Sequence, residues 1–234
     1  MKTKTLIIIP AYNEKDNIER VVDNIIENYP EYDYLVVNDG SKDGTGKICR
    51  EKGSNHITMP LNVGLTDGVA AGMMFAYNHG YDYAVQFDGD GQHDPQFLRQ
   101  MTEYLETHEV DMVIGSRFIE KEGFQSSWIR RLGIVCFTKL IKLCTGKTVT
   151  DPTSGLRMAG RNVIRLFADC YPKDYPEPES TVAALNHGCK VEEIPVIMRE
   201  RQGGVSSITF KKSIYYMIKV TLAILMEALR GGKH

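Results

Sequence analysis

Asp88-Gly89-Asp90-Gly91-Gln92-His93-Asp94 follows the apolar run Tyr83 to Phe87, which sets two carboxylates one residue apart at the end of a predicted strand. A turn at that point lets alternate side chains fold toward one cavity. Hard oxygen donors of this kind suit Mg2+ or Mn2+, with coordination positions left for the oxygens of a diphosphate. Gln92 adds a neutral oxygen, so Asp88, Asp90 and Gln92 form the predicted metal set. An isolated Asp-x-Asp is more often a solvated turn, and it is the buried strand before this one that argues for a site. Neither Gly-x-Gly-x-x-Gly nor Gly-x-x-x-x-Gly-Lys-Ser/Thr follows the first strand. The phosphate cradles of dinucleotide enzymes and P-loop ATPases are therefore missing, and an anionic ligand has to be neutralised by another route.

The elements that must position these carboxylates read as strands alternating with helices, the pattern of a mostly parallel α/β sheet. Leu6 to Ile9 is a strand, and Ile18, Val21, Val22, Ile25 and Ile26 give the next helix one buried face before Pro30 ends it. Strands at Tyr34 to Val37, near His56-Ile57, at Tyr83 to Phe87 and at Asp111 to Gly115 alternate with helices from about Thr45, over Val69 to Asn78 and from Pro95. Beyond Arg131 come a helix to about Cys144, a turn over Thr150 to Gly155, helices near Arg161 to Phe167 and Glu179 to Asn186, and a strand from Val191 to Met198. Ligands of such sheets bind outside the carboxyl ends of the strands. Those ends carry Pro10-Ala11-Tyr12-Asn13-Glu14, Asn38-Asp39-Gly40-Ser41, the Asp88 segment and Ser116-Arg117, which converge on one polar rim.

The 234 residues allow one large domain, and a net charge of −2 supplies no global basic field for nucleic acid. Five widely spaced cysteines without a Cys-x-x-Cys pair read as reduced fillers of a cytosolic protein. The N-terminus lacks the pattern of a secretory signal, so no export is expected. The last stretch, Ser213 to Leu229, is an apolar helix interrupted by Lys219 and Glu227. At about 17 residues it falls short of the roughly 20 that a membrane span needs. With Lys211-Lys212 at its start, it reads as a helix lying on anionic lipid or docking a partner. The expected division is a catalytic unit over residues 1–207 and a membrane- or partner-facing segment over 208–234.

In order, Ile9-Pro10-Ala11-Tyr12-Asn13-Glu14, Val37-Asn38-Asp39-Gly40-Ser41-Lys42-Asp43-Gly44-Thr45 and Asp88-Gly89-Asp90-Gly91-Gln92-His93 resemble a family 2 glycosyltransferase of GT-A fold. The likeness is to the polyprenyl-phosphate (dolichyl-phosphate) sugar synthases. It runs on through Gly115-Ser116-Arg117, Asp151-Pro152-Thr153-Ser154-Gly155-Leu156-Arg157 and the segment from Arg201 to Ser206. The resemblance implies that Pro10, Tyr12 and Glu14 border the nucleotide of a nucleotide-sugar donor, that Asp39 contacts its base or ribose, and that Gly89 and Arg201 belong to the donor side. It implies that Asp88, Asp90 and Gln92 hold Mg2+ or Mn2+. Thr66 and Asp67 stand where the family more usually has glycines.

Arg117, Arg130, Arg131, Arg157, Arg199 and Arg201 flank this rim, and guanidinium groups bind phosphate in a bidentate manner. The resemblance assigns the acceptor phosphate to Arg117 and Arg131. A phosphate acceptor, whose second pKa is about 6, attacks without surrendering a proton to the enzyme. A sugar hydroxyl acceptor needs a general base. Glu179 resembles the family position near the acceptor and Asp151 is a second possibility, although either could cap a helix or support an arginine. The catalytic candidates are thus Asp88, Asp90, Arg117, Arg131 and Glu179. The expected activity is metal-dependent, inverting transfer of a hexose or N-acetylhexosamine from a UDP- or GDP-sugar to a polyprenyl phosphate, by an enzyme held at the inner face of the cell membrane either by peripheral attachment or by a small membrane protein as partner. The alternatives are transfer to a glycan hydroxyl in cell-surface polysaccharide synthesis, nucleotide-sugar binding without turnover, and nucleotidyl transfer.

Overall fold

The computed structural model describes residues 3–88, 95–120, 128–197 and 210–231. Strands β1 (Thr5–Ala11), β2 (Asp33–Asn38), β3 (His56–Thr58), β4 (Tyr83–Gln86), β5 (Met112–Ser116), β6 (Arg157–Gly160) and β7 (Val191–Pro195) form one sheet in the order β3-β2-β1-β4-β6-β5-β7. Every pairing is parallel except the two made by β6, which runs antiparallel between β4 and β5.

Helices cover both faces of the sheet. α1 (Ile18–Asn28), α2 (Thr45–Glu51) and α4 (Gln96–Thr107) lie on one side, and α3 (Leu65–Asn78), α5 (Trp128–Thr145), α6 (Arg161–Asp169), α7 (Pro176–Asn186) and α8 (Phe210–Gly231) on the other. Because successive strand residues face opposite sides, Leu6 and Ile8 enter one core while Ile7 and Ile9 enter the other. This is why the strands read as unbroken apolar runs rather than alternating ones. α1 buries Ile18, Val21, Val22 and Ile25, one stripe at helical spacing.

The predicted α/β sheet is present, with three departures. β6 was not foreseen: Arg-Met-Ala-Gly is short and begins with a charge, and its neighbours on both sides make it a strand. α7 begins at Pro176 rather than near Glu179, since prolines fit a first turn whose amide hydrogens are unpaired anyway. β7 ends at Pro195, short of Met198. α8 has two characters: Val220, Ala223 and Ile224 are buried in packing against α5 and α7, whereas Ile218, Leu222, Met226 and Leu229 are exposed. No helix among the described residues is long and apolar enough to cross a membrane.

α3 reaches β1 through a glycine. A Cβ at Gly72 would lie 2.3 Å from Ile8 Cγ2, well inside contact distance. Alanine would gain about 1 kcal/mol of helix propensity, but overpacking a rigid β-branched neighbour costs about 1–3 kcal/mol. Gly72→Ala is therefore expected to lower the urea midpoint with an unchanged slope; an unchanged or higher midpoint would contradict this packing.

Candidate active site

The carboxyl ends of β1 and β2 are sewn together by their own polar residues. Asn13, at φ 57°, donates its amide to Ser41 Oγ (3.0 Å) and accepts from the Lys42 amide through Oδ1 (3.0 Å). The Glu14 amide donates to Thr45 Oγ1 (3.0 Å) and the Lys15 amide to Asp43 Oδ2 (3.0 Å). Ser41, Asp43 and Thr45 thus fix the loop that carries Tyr12 and Glu14, while Asn38 Oδ1 steadies their own turn by accepting the Ser41 amide.

Asp39, 4% exposed, gathers the next loop. Its Oδ1 accepts from the Val63 amide (2.7 Å), and its Oδ2 from the Gly64 amide (2.8 Å) and Asn62 Nδ2 (2.8 Å). Gly40 permits this closure: its φ is +61°, and a Cβ there would sit 2.5 Å from the Leu61 carbonyl carbon. The result is a pocket of about 390 Å3 bordered by Pro10, Tyr12, Glu14, Asp39, Gly64 and Asp88. That volume falls in the range of small-molecule sites, roughly 300–1,000 Å3. The described residues to which the resemblance assigned the donor, Pro10, Tyr12, Glu14, Asp39 and Asp88, therefore share one cavity. Thr66 and Asp67 lie in the first turn of α3, beside it. Gly89, Asp90, Gln92 and Arg201 lie outside the described residues.

Asp88 is approached from β6. Arg157 stands opposite Gln86 of β4 and Ile114 of β5, so the residues before it run back between Asp88 and Arg117. A Cβ at Gly155 would lie 2.7 Å from Asp88 Oδ2. Gln86 Nε2 makes a long contact to Asp88 Oδ1 (3.4 Å), and the Glu177 carboxylate is hydrogen-bonded to the Gln86 side chain. Burial raises the Glu177 carboxyl, Arg157 opposes that shift, and the negative charge of Asp88 adds to it. Arg157 itself is buried and donates to the carbonyl oxygens of Ser154 (2.7 Å), Pro152 (2.8 Å) and Glu177 and to Ser180 Oγ (2.9 Å) and Thr181 Oγ1 (2.9 Å). It is a structural clamp, not a rim arginine.

At the end of β5, Arg117 is held in a fork. Its Nε donates to Asp151 Oδ2 (2.6 Å) and its Nη2 to Asp151 Oδ1 (2.7 Å) and Thr153 Oγ1 (2.9 Å). Asp151 is fully buried, and its turn is held by Glu193 of β7. Asp151 thus takes the arginine-supporting role. Arg131 is exposed on α5. Glu179, the remaining catalytic candidate, lies on α7. Pro176 and Pro178 put it in the first turn of α7, where its buried Oε1 accepts the Tyr175 amide (2.5 Å) and does not line the pocket. Its charged surroundings are Asp174, Glu227 and Arg230, and burial pushes its carboxyl up to about 7.

The residues that sequence reasoning missed are Gln86, Gly155, Glu177 and Glu193. A glutamine inside the apolar run of β4 was a signal that could have been read; Glu177 and Glu193 become neighbours of the site through the insertion of β6 and the pairing of β7 with β5.

Among the described residues no three His, Cys, Asp or Glu side chains gather into a metal-binding group. The chemistry around Asp88 nevertheless fits a divalent ion. Its carboxylate borders a pocket that also carries Glu14 and Asp39, and its charge already bears on the neighbouring Glu177. Asp90 and Gln92 would complete an all-oxygen set of the kind that suits Mg2+ or Mn2+.

Residues 6–167 match the family model described as glycosyl transferase family 2. The chain is 30% identical over 228 residues to polyprenol monophosphomannose synthase of Mycolicibacterium smegmatis, with 93% of this chain and 85% of the relative covered. It is 28% identical to undecaprenyl-phosphate mannosyltransferase of Micrococcus luteus, with 97% and 98% covered. It is 30% identical to UDP-N-acetylglucosamine–dolichyl-phosphate N-acetylglucosaminyltransferase of Methanococcus voltae, with 81% and 83% covered. The crystal structure of glucosyl-3-phosphoglycerate synthase from Mycobacterium tuberculosis with Mn2+, uridine diphosphate and phosphoglyceric acid aligns at a TM-score of 0.74 and 17% identity, covering 97% of this chain and 78% of that one. The shared fold is GT-A.

Two outcomes follow from the site geometry. Gly155→Ala is expected to push the Asp88 carboxylate aside and weaken Mn2+-dependent nucleotide binding about tenfold, the equivalent of about 1.4 kcal/mol; calorimetric titration with UDP and GDP, with and without Mn2+, checks it. For Glu179, the usual carboxyl pKa of 4.5 rises to about 7 in the folded chain. Between those values the unfolded chain releases the proton first, so stability contributed by the neutral carboxyl is lost as pH rises through about 7. Glu179→Gln keeps an acceptor for the Tyr175 amide and should flatten that decline and raise the melting temperature at pH 8. A wild-type profile that climbs from pH 5 to 8 and is unchanged by the substitution would refute the assignment.

Proposed function

The chain belongs to glycosyl transferase family 2, and from that premise we propose that it transfers a hexose or N-acetylhexosamine, with inversion, from a UDP- or GDP-sugar to a polyprenyl phosphate. The observation that carries this reading is the Arg117–Asp151 fork at a strand end two places across the sheet from Asp88. It fixes the guanidinium that the resemblance assigns to the acceptor phosphate beside the Asp151–Gly155 turn, whose other end meets Asp88. The relatives named above support it, since each is named for a polyprenol, dolichyl-phosphate or undecaprenyl-phosphate reaction across most of its length.

In this reading the pocket bordered by Pro10, Tyr12, Glu14 and Asp39 takes the nucleotide, with Gly89 and Arg201 on the same side. Asp88, Asp90 and Gln92 would hold Mg2+ or Mn2+, which when bound neutralises charge on the departing diphosphate. Arg117, with Arg131, orients the acceptor phosphate. An oxygen of that phosphate forms the new bond to the anomeric carbon as the bond to the nucleoside diphosphate breaks on the opposite face. The phosphate is largely ionised at neutral pH, its second pKa being about 6, so no side chain has to take a proton. Transfer to a glycan hydroxyl would need a base. Its two sequence candidates are otherwise engaged, Asp151 with Arg117 and Glu179 with the Tyr175 amide.

We place residues 1–207 as the catalytic unit and 208–234 as the segment that meets the membrane. The exposed Ile218, Leu222, Met226 and Leu229 of α8 support that placement, which would put the enzyme at the cytoplasmic face of the membrane that holds its acceptor.

The test is incubation with a panel of nucleotide sugars, Mn2+ or Mg2+, and a polyprenyl phosphate in liposomes or in detergent, with products identified by mass. A glycosyl polyprenyl phosphate and a free nucleoside diphosphate are expected. Asp88→Asn should lower turnover at least about a hundredfold, the scale of losing one electrostatic stabiliser of the transition state. Leu222→Asp with Met226→Asp should slow transfer in liposomes and spare it in detergent. Transfer to sugar hydroxyls alone, or pyrophosphate as the released product, would overturn the proposal.

A further inference from the structure

The Asp151–Gly155 turn touches both halves of the site. Its far end, Gly155, abuts Asp88, and its near end, Asp151 with Thr153, holds Arg117. The backbone amides leading into such a turn have to be satisfied, and those of Thr150 and Asp151 are taken by one side chain from a different part of the chain. Glu193 of β7 accepts the Thr150 amide through Oε2 (2.6 Å) and the Asp151 amide through Oε1 (2.8 Å), with Thr150 Oγ1 donating to Oε1 as well (3.0 Å). Thr150 Oγ1 also bonds Ser116 Oγ (2.7 Å), the residue just before Arg117.

We infer that Glu193 is a positioning residue for the acceptor side: it fixes the turn so that Asp151 holds the Arg117 guanidinium in the orientation that receives the acceptor phosphate. This rests on the acceptor reading of Arg117 given above. β7 runs parallel to β5 with Glu193 opposite Ile114, so its side chain meets the turn from the strand edge, without reaching the pocket itself.

The chemistry of the contact demands a carboxylate. Two backbone donors fall on two different oxygens, and an amide side chain would offer one acceptor and one NH2 group, setting donor against donor at one of the two amides. Bringing the Glu193 carboxylate near the buried Asp151 carboxylate is also unfavourable for stability alone, since like charges in a partly desolvated site repel. The buried Arg157 guanidinium offsets part of this repulsion, since both carboxylates interact favourably with it. The arrangement exchanges some stability for an arginine whose orientation is set before the acceptor arrives, which lowers the ordering cost of binding.

The test uses the full chain and two probes, farnesyl phosphate for the acceptor side and UDP or GDP with Mn2+ for the donor side, each titrated by calorimetry. Glu193→Gln is expected to weaken farnesyl phosphate binding about tenfold, the scale of one lost charge-assisted hydrogen bond. Nucleotide binding should change less than about twofold, on the scale of experimental scatter. Glu193→Asp, which keeps the charge and shortens the reach, should fall between wild type and Glu193→Gln; it also serves if the glutamine variant fails to fold. Gly155→Ala, at the other end of the same turn, should show the opposite split. If Arg117→Lys weakens farnesyl phosphate while neither Glu193 variant does, the positioning role is wrong and the acceptor reading of Arg117 stands. If Arg117→Lys has no effect either, the acceptor reading fails and takes this inference with it. Equal loss of both probes in the Glu193 variants would mark a merely structural residue and overturn the inference.

Discussion

A guanidinium cannot shed its proton to suit a buried site, so an arginine taken out of water has to be enclosed by oxygen acceptors. Arg157 meets that requirement with carbonyl oxygens from Pro152, Ser154 and Glu177 and hydroxyls from Ser180 and Thr181. Satisfying this one cation ties the turn before β6 and the strand itself to the first turn of α7, 20 residues further along the chain at Glu177. Removing either hydroxyl partner would leave the buried charge short of an acceptor, which costs about 1–3 kcal/mol. The positions of Gly155 against Asp88 and of Thr153 against Arg117 follow from where that clamp sets the turn.

The antiparallel strand that carries Arg157 also changes how the sheet works as a scaffold. In an all-parallel sheet the ends of β4 and β5 would be neighbours, each followed by its own loop. With β6 between them, chain arriving from the far side enters at the carboxyl edge and lays its Asp151–Gly155 turn between Asp88 and Arg117. A single short segment then meets Asp88, which borders the pocket, at one end and Arg117 at the other. The two halves of the site are held in register by backbone, which is stiffer than a contact between long side chains.

The pocket side is built differently, from loops that satisfy each other. Asp39 spends its carboxylate on the Asn62–Gly64 loop, and Asn13, Ser41, Asp43 and Thr45 exchange hydrogen bonds between the ends of β1 and β2. Charges are crowded on this rim. Glu14, Asp39 and Asp88 border one cavity and Glu177 lies behind Gln86.

The local signals in the sequence were sufficient wherever the physics is local. Apolar runs and helical spacing identified β1, β2, β4, β5, α1 and α3, because burial on both faces of a sheet writes itself into consecutive residues. The motifs after those strands gathered Pro10, Tyr12, Glu14, Asp39 and Asp88 into one pocket, since a residue following a parallel strand has little choice about which edge it occupies. What only tertiary structure decided is the work of side chains whose partners are remote. β6 is a strand because β4 and β5 flank it, Asp151 holds an arginine because β5 delivers Arg117 to it, and Glu193 reaches Thr150 from the opposite edge of β5. Glu179 and Glu177 illustrate the division. One alternation along Pro-Glu-Pro-Glu offers two similar carboxylates, and the direction of the first turn of α7 sends Glu179 to its own helix start and Glu177 toward Gln86 and Asp88. Sequence determines that both are acidic; three-dimensional packing determines which one the site feels.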